Sequence, residues 1–98
     1  MPALTTQQIG RRLKGVPNWS QRAQTILRTF QFEGFLESIA FVNRIARKAQ
    51  KINHHPDIDI RFNKVTLRLT THDQGGITAK DFFLARQCDA VLAKFTAS

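Results

Sequence analysis

Cysteine and long apolar runs are scarce in this sequence, and each scarcity excludes a class of protein. Cys88 is the only cysteine, so no disulfide framework can form within the chain. No apolar run approaches the ~18 residues of a membrane-spanning helix. The first residues lack the basic-then-apolar pattern of a secretory signal. No glycine-rich loop is followed by the lysine that a P-loop requires. We therefore expect a cytoplasmic protein without a membrane segment.

The length of the chain, 98 residues, predicts a single domain spanning residues 1–98, with no room for a second core. A chain of this size buries roughly 60–70% of its unfolded surface, which is enough to fold alone with little margin. Eight phenylalanines and one tryptophan supply an aromatic core.

The net charge of +8 is unevenly distributed along the chain. Much of the excess comes from Arg44, Arg47, Lys48 and Lys51, which helical spacing places on one face. Such a face suits an anionic partner, either an acidic protein or a nucleic acid. It also suits a solvated helix end, where the macrodipole favours cations. No recognition motif accompanies the charges, so we do not expect a nucleic-acid partner.

The first half of the sequence predicts a helix, two strands and a longer helix. Thr5-Thr6-Gln7-Gln8 resembles a capping box that opens a short helix ending near Leu13. One strand is expected at Trp19 and a second over 22–32. Apolar residues then recur at three- and four-residue steps over 35–51, which predicts a helix with one buried stripe. The predicted stripe consists of Phe35, Ile39, Val42, Ile45, Ala46 and Ala49.

The second half predicts a hairpin and a final helix. Apolar and polar residues alternate over 57–62 and again over 65–70, with a turn at Asn63-Lys64. Thr78-x-x-Asp81 is typical of a helix start. The apolar stripe that follows comprises Phe82, Ala85, Cys88, Val91, Leu92 and Phe95. The order α-β-β-α-β-β-α predicts an α+β fold: a four-stranded antiparallel sheet with three helices packed on one face.

All three histidines of the chain lie between residues 54 and 72, at the ends of predicted elements. His54 and His55 precede Pro56, which cannot sit inside the long helix and pushes His55 into an extended conformation. His72 follows the second hairpin strand. Histidine can give and take a proton near neutrality, so this cluster indicates proton-transfer chemistry.

The spacing of these residues resembles the signature of the pterin-4a-carbinolamine dehydratase family. The family pattern has a charged residue, three residues, His-His-Pro, an aromatic six positions on, a histidine ten later and an aspartate nine beyond. Here those places hold Gln50, His54-His55-Pro56, Phe62, His72 and Asp81. The resemblance extends from about residue 19 to residue 91, and only the first of the six elements departs from the pattern.

The resemblance implies an oligomeric enzyme that needs no metal or cofactor. It would dehydrate 4a-hydroxytetrahydropterin to the quinonoid dihydropterin and so recycle the hydroxylase cofactor. His54 and His72 would act as acid and base, with His55 positioning the substrate or sharing proton transfer. The pterin-binding residues would be Asn53, His54, His55, Pro56, Thr71, His72 and Asp73, and the chain would form a homodimer or homotetramer.

Two departures from the family pattern concern the surroundings of the histidines. Gln50 stands where the family usually has an acidic residue, and its neutral amide cannot hold a negative charge near the histidines. Ile58 stands where many relatives have tryptophan, which leaves Phe62 as the expected aromatic wall. Asp81 could serve the site but, three residues after Thr78, we expect it to cap the last helix.

Two further interpretations of the sequence remain open. A metal site with Asp73 as fourth ligand is less suited to adjacent histidines, whose side chains do not converge. A non-enzymatic binding or assembly protein on the same fold, of the Rubisco assembly factor or transcriptional coactivator type, would fit an acidic protein partner on the basic face. The intact histidine set favours the enzyme.

Overall fold

The computed structural model describes residues 2–97, with side chains described to residue 95. Met1 and Ser98, which belong to the predicted domain, lie outside the described residues. The elements are α1 (Thr6–Leu13), β1 (Ser20–Arg22), β2 (Thr25–Gln31), α2 (Phe35–Ile52), β3 (Asp57–Arg61), β4 (Lys64–Leu69), a 3-10 turn (His72–Gln74) and α3 (Ala79–Ala97). Within residues 2–97 no helix is long and apolar enough to cross a bilayer.

The four strands form one antiparallel sheet in the order β1-β2-β4-β3, which confirms the predicted α+β fold. The β2–β4 pairing sets Ile26 opposite Leu69 and Phe30 opposite Val65, and these four side chains are all buried. The alternate residues of both strands turn to the opposite face, where Thr29 and Thr66 share a 2.8 Å hydrogen bond. The helices therefore cover one face of the sheet and leave the other polar.

The helices complete the core above the apolar face. Thr5 and Gln8 form the predicted capping box at the start of α1, and Ile9 of that helix is buried. The predicted stripe of α3 is confirmed, with Phe82, Ala85 and Cys88 fully buried. Helices α2 and α3 run antiparallel, because Phe41 packs on Phe95 with ring centroids 6.2 Å apart while the end of α2 meets the start of α3.

The predicted buried stripe of α2 is partly wrong. Phe35 is 48% exposed, and Ala46 is also exposed. The buried residues of the helix are Ser38, Phe41, Ile45 and Ala49. Ser38 can be buried because its hydroxyl donates to the Gly34 carbonyl oxygen at 3.0 Å.

The predicted turn between β3 and β4 is displaced by one residue. The turn consists of Phe62 and Asn63, and Phe62 adopts a positive φ of 54°. A bulky residue rarely adopts this conformation. Asn63 stabilises the turn, since its side-chain amide donates to the Phe32 carbonyl oxygen at 3.0 Å.

Candidate functional site

A cavity of about 290 Å³ lies where α2 and β4 both end, and all three histidines contribute to it. Its volume is near the lower limit of small-molecule sites. The lining residues are Asn53, His54, His55, Thr70, Thr71, His72 and Asp73. Six of the seven predicted site residues therefore lie around one space. Pro56 is not part of the lining, and Thr70 was not predicted.

The end of α2 determines where His54 and His55 lie. Asn53 adopts the left-handed conformation, with φ 56° and ψ 44°. The His54 N–H donates to the Ala49 carbonyl oxygen and the Asn53 N–H to that of Gln50, as in a Schellman motif. The helix thus ends at Ile52, one residue beyond the predicted end, with Asn53 as its cap. This turn sends His54 inward and leaves His55 exposed.

A short loop after β4 places His72 on the other side of the cavity. Thr71 and Gly76 pair across the loop, with the Thr71 N–H donating to the Gly76 carbonyl oxygen at 3.0 Å. His72 begins the 3-10 turn between them, and Gly75 closes it at φ 71°, a conformation that glycine adopts without strain. His72 is exposed, and its ring has no hydrogen-bond partner among the described residues.

Asp81 is the functional residue whose role sequence analysis underestimated. It is fully buried, and its Oδ2 accepts from the Thr78 N–H and the Thr71 hydroxyl, both at 2.9 Å. Its Oδ1 lies 2.6 Å from Nε2 of His54. The predicted capping role is confirmed, but the same carboxylate also holds the site histidine. The signal in the sequence was the place of Asp81 in the family pattern.

The hydrogen bonds around Asp81 fix the direction of each donor. Because the Thr71 hydroxyl donates to Asp81, the Thr78 hydroxyl must donate to Thr71, 2.8 Å away, while accepting from the Lys80 N–H. An ionised carboxylate only accepts. Opposite an ionised Asp81, His54 would donate from Nε2, which leaves Nδ1 without a partner in the described part of the chain.

His55 and Asp73, two other residues of the cavity, are less constrained than His54. Nε2 of His55 lies 2.9 Å from Oε1 of Gln50, so the glutamine amide orients this ring without adding charge. Asp73 forms no ion pair with any described side chain.

The structure places Phe62 and Ile58 outside the histidine cavity. Phe62 does not form an aromatic wall, since it lies at the far end of β3 and is 66% exposed. Ile58 lies on the edge strand β3, also outside the lining.

Among the described residues, no three His, Cys, Asp or Glu side chains converge as metal ligands would.

Comparison with known proteins identifies the family. The family model described as pterin 4 alpha carbinolamine dehydratase matches residues 2–91. The chain belongs to the pterin-4a-carbinolamine dehydratase family. A relative from Acidobacterium capsulatum, provisionally named pterin-4-alpha-carbinolamine dehydratase, is 48% identical over 94% of this chain and 100% of its own length. A relative from Mycobacteroides abscessus with the same provisional name is 44% identical over 96% of this chain and 100% of its own.

Solved structures agree with this family assignment. The Brucella melitensis transcriptional coactivator/pterin dehydratase superposes with a TM-score of 0.87 at 30% identity, covering 91% of this chain and 97% of that one. A pterin dehydratase-like protein identified as a RuBisCO assembly factor in the alpha-carboxysome gives a TM-score of 0.61 at 19% identity. It covers 74% of this chain and 84% of its own, and the likeness shows the fold alone.

Proposed function

We propose that this member of the family dehydrates 4a-hydroxytetrahydropterin to the quinonoid dihydropterin in the cytoplasm, with histidines as acid and base. The observation that carries the proposal is the His54–Asp81 pair beside a cavity that His55 and His72 also line. The family and the relatives' names support the substrate class.

In this proposal His54 is the base. Asp81 accepts its Nε2–H, which leaves the Nδ1 lone pair to take the proton from N5 of the pterin. The imidazolium that forms is stabilised by the buried carboxylate, as in the Ser-His-Asp triad, although here the histidine takes the proton directly from the substrate. Asp81 itself need not change protonation.

His72 is then the acid. Its exposed ring exchanges protons with solvent and can protonate the C4a hydroxyl. The C4a–O bond breaks, water leaves, and the electrons of the N5–H bond form the C4a=N5 double bond. One proton enters His54 as one leaves His72, so the step balances without a metal or cofactor.

His55 and the backbone around the cavity would position the ring. His55 is held by Gln50 and lacks a carboxylate partner, so we assign it to substrate orientation. Replacing His55 with alanine should raise KM more than it lowers kcat, because positioning interactions act mostly on the ground state.

The deciding experiment compares enzyme turnover with the spontaneous reaction in the same buffer. His54→Gln keeps an N–H donor for Asp81, so the variant should fold. Its amide cannot take a proton, so it should not act as the base. Combined with His72→Ala, it should abolish acceleration, and each single change should cost ~10²–10⁴-fold. If the wild type is no faster than the double variant, the proposed chemistry is wrong.

A binding role is the second candidate, favoured by the neutral Gln50 beside His55 and by the basic side chains of α2. The Brucella melitensis structure is described as both coactivator and dehydratase. An acidic protein partner would fit those cations. A folded wild type without dehydratase activity that captures such a partner would make this the leading function.

A further inference from the structure

A second cavity, of about 310 Å³, lies between α2 and α3 and is surrounded by cations. Its lining consists of Arg44, Arg47, Lys48, Lys51, Val91 and Lys94, here called the basic groove. Five of the six lining residues are positively charged and none is acidic. The groove is separate from the histidine cavity, whose lining shares no residue with it.

The charges of the basic groove are uncompensated within the protein. Across the described part of the chain, no carboxylate forms an ion pair with any of the five cations. Each of the four cations of α2 has two others three or four residues away, so like charges neighbour one another on one helix face. The macrodipole of α2 favours Lys51 and that of α3 favours Lys94, each in the last turn of its helix, but neither accounts for the other three cations.

Packing holds one of the guanidinium groups in place. Arg44 Cζ lies 5.1 Å from the centroid of the Phe95 ring. A stacked guanidinium keeps its planar fork available, and that fork matches the oxygens of a phosphate group. The site therefore has at least one preorganised donor beside flexible lysines.

From these observations we infer that the basic groove binds a small anion carrying two or more phosphate groups. The cations of α2 span eight residues, Arg44 to Lys51, or about 10 Å along the helix, which suits a short chain of phosphates. The groove is short and open to solvent between two helices, whereas a duplex requires cations distributed along a longer surface. This inference is independent of the proposed dehydratase activity.

Titration calorimetry with inorganic tripolyphosphate at physiological ionic strength tests the inference. The groove variant is Arg47→Gln/Lys48→Gln/Lys94→Gln, which spares the stacked Arg44. The matched control is Arg11→Gln/Arg12→Gln/Lys14→Gln, which removes three exposed cations at the end of α1. The groove variant should bind at least about tenfold more weakly, and the control should stay within about twofold of wild type.

Three results would overturn the inference. The first is a wild type that does not bind tripolyphosphate at millimolar concentration. The second is equal weakening in both variants, which would show a general effect of net charge. The third is groove-dependent binding of a glutamate-rich peptide or a short DNA duplex without groove-dependent binding of tripolyphosphate. A circular dichroism melt of each variant verifies that it is folded.

Discussion

Asp81→Asn is the sharpest single perturbation of the candidate site, because it changes charge without changing shape. The buried carboxylate accepts from His54, Thr71 and the Thr78 N–H. The amide oxygen can keep the last two partners. The amide N–H₂ group, however, would face the Nε2–H of His54 and drive the imidazole proton to Nδ1, which removes the lone pair assigned to proton transfer.

The expected effect on rate follows from that tautomer change. The same carboxylate-to-amide exchange in the Ser-His-Asp triad costs about 10⁴ in kcat. We expect kcat for dehydration to fall by ~10²–10⁴-fold, the usual contribution of a positioned proton-transfer group.

The expected effect on stability is moderate. Hydrogen bonds to charged groups contribute about 1.5–3 kcal/mol against about 0.5–1.5 for neutral ones. Weakening the two retained bonds therefore costs roughly 2 kcal/mol. In a domain of this size that lowers Tm by about 8–16 °C.

The assay combines dehydration kinetics, corrected for the spontaneous reaction, with a thermal melt. Asp57→Asn is the matched control: it makes the same chemical change at an exposed carboxylate outside the cavity. The control should keep its stability within about 0.5 kcal/mol and its kcat near that of wild type. A folded Asp81→Asn protein with nearly wild-type kcat would refute the role assigned to the His54–Asp81 pair.

Three further predictions concern the core and the assembly. Burial raises the pKa of the Cys88 thiol to about 12, so native protein at pH 8 should resist iodoacetamide and react only on unfolding. The contribution of Cys88 to the free energy of unfolding should be present below pH ~9 and lost as the pH rises toward 12, because only the unfolded thiol ionises in that window. Denaturant unfolding midpoints measured across this pH range would test this. Asp89→Ala should cost about 1–3 kcal/mol in denaturant melts, because Asp89 accepts from the Trp19 indole at 2.9 Å and from Arg28 at 2.6 Å. Light scattering should give a homodimer or homotetramer, because the sheet has two open edges; a monomer of 11.2 kDa at micromolar concentration would contradict this.

Periodicity predicted the fold well where a single face is buried. The alternation through β4 is confirmed, because Val65, Leu67 and Leu69 all face the core and a one-residue slip would expose them. The turn before it was misplaced because Phe62 occupies a conformation that favours glycine or asparagine. Turn rules have no means of anticipating a strained aromatic.

Local sequence rules also missed part of the α2 stripe and the His54–Asp81 pair, because both depend on contacts that hydropathy and capping motifs do not describe. Ser38 can be buried because its hydroxyl donates to the backbone carbonyl oxygen four residues earlier, a compensation that hydropathy does not register. The contact between His54 and Asp81 joins residues 27 positions apart. The capping motif identified Asp81 from its neighbours, whereas its second partner depends on how α3 packs.

The placement of Asp81 and His72 has a consequence for how relatives of this protein could diverge. Asp81 both caps the start of α3 and holds His54, so a lineage that lost this carboxylate would lose stability together with the proposed chemistry. His72 stands on an exposed turn with no ring partner in the described structure, and its replacement would leave the scaffold intact. A relative that became a pure binding protein would therefore lose least stability by replacing His72, and it would retain Asp81 for its structural role.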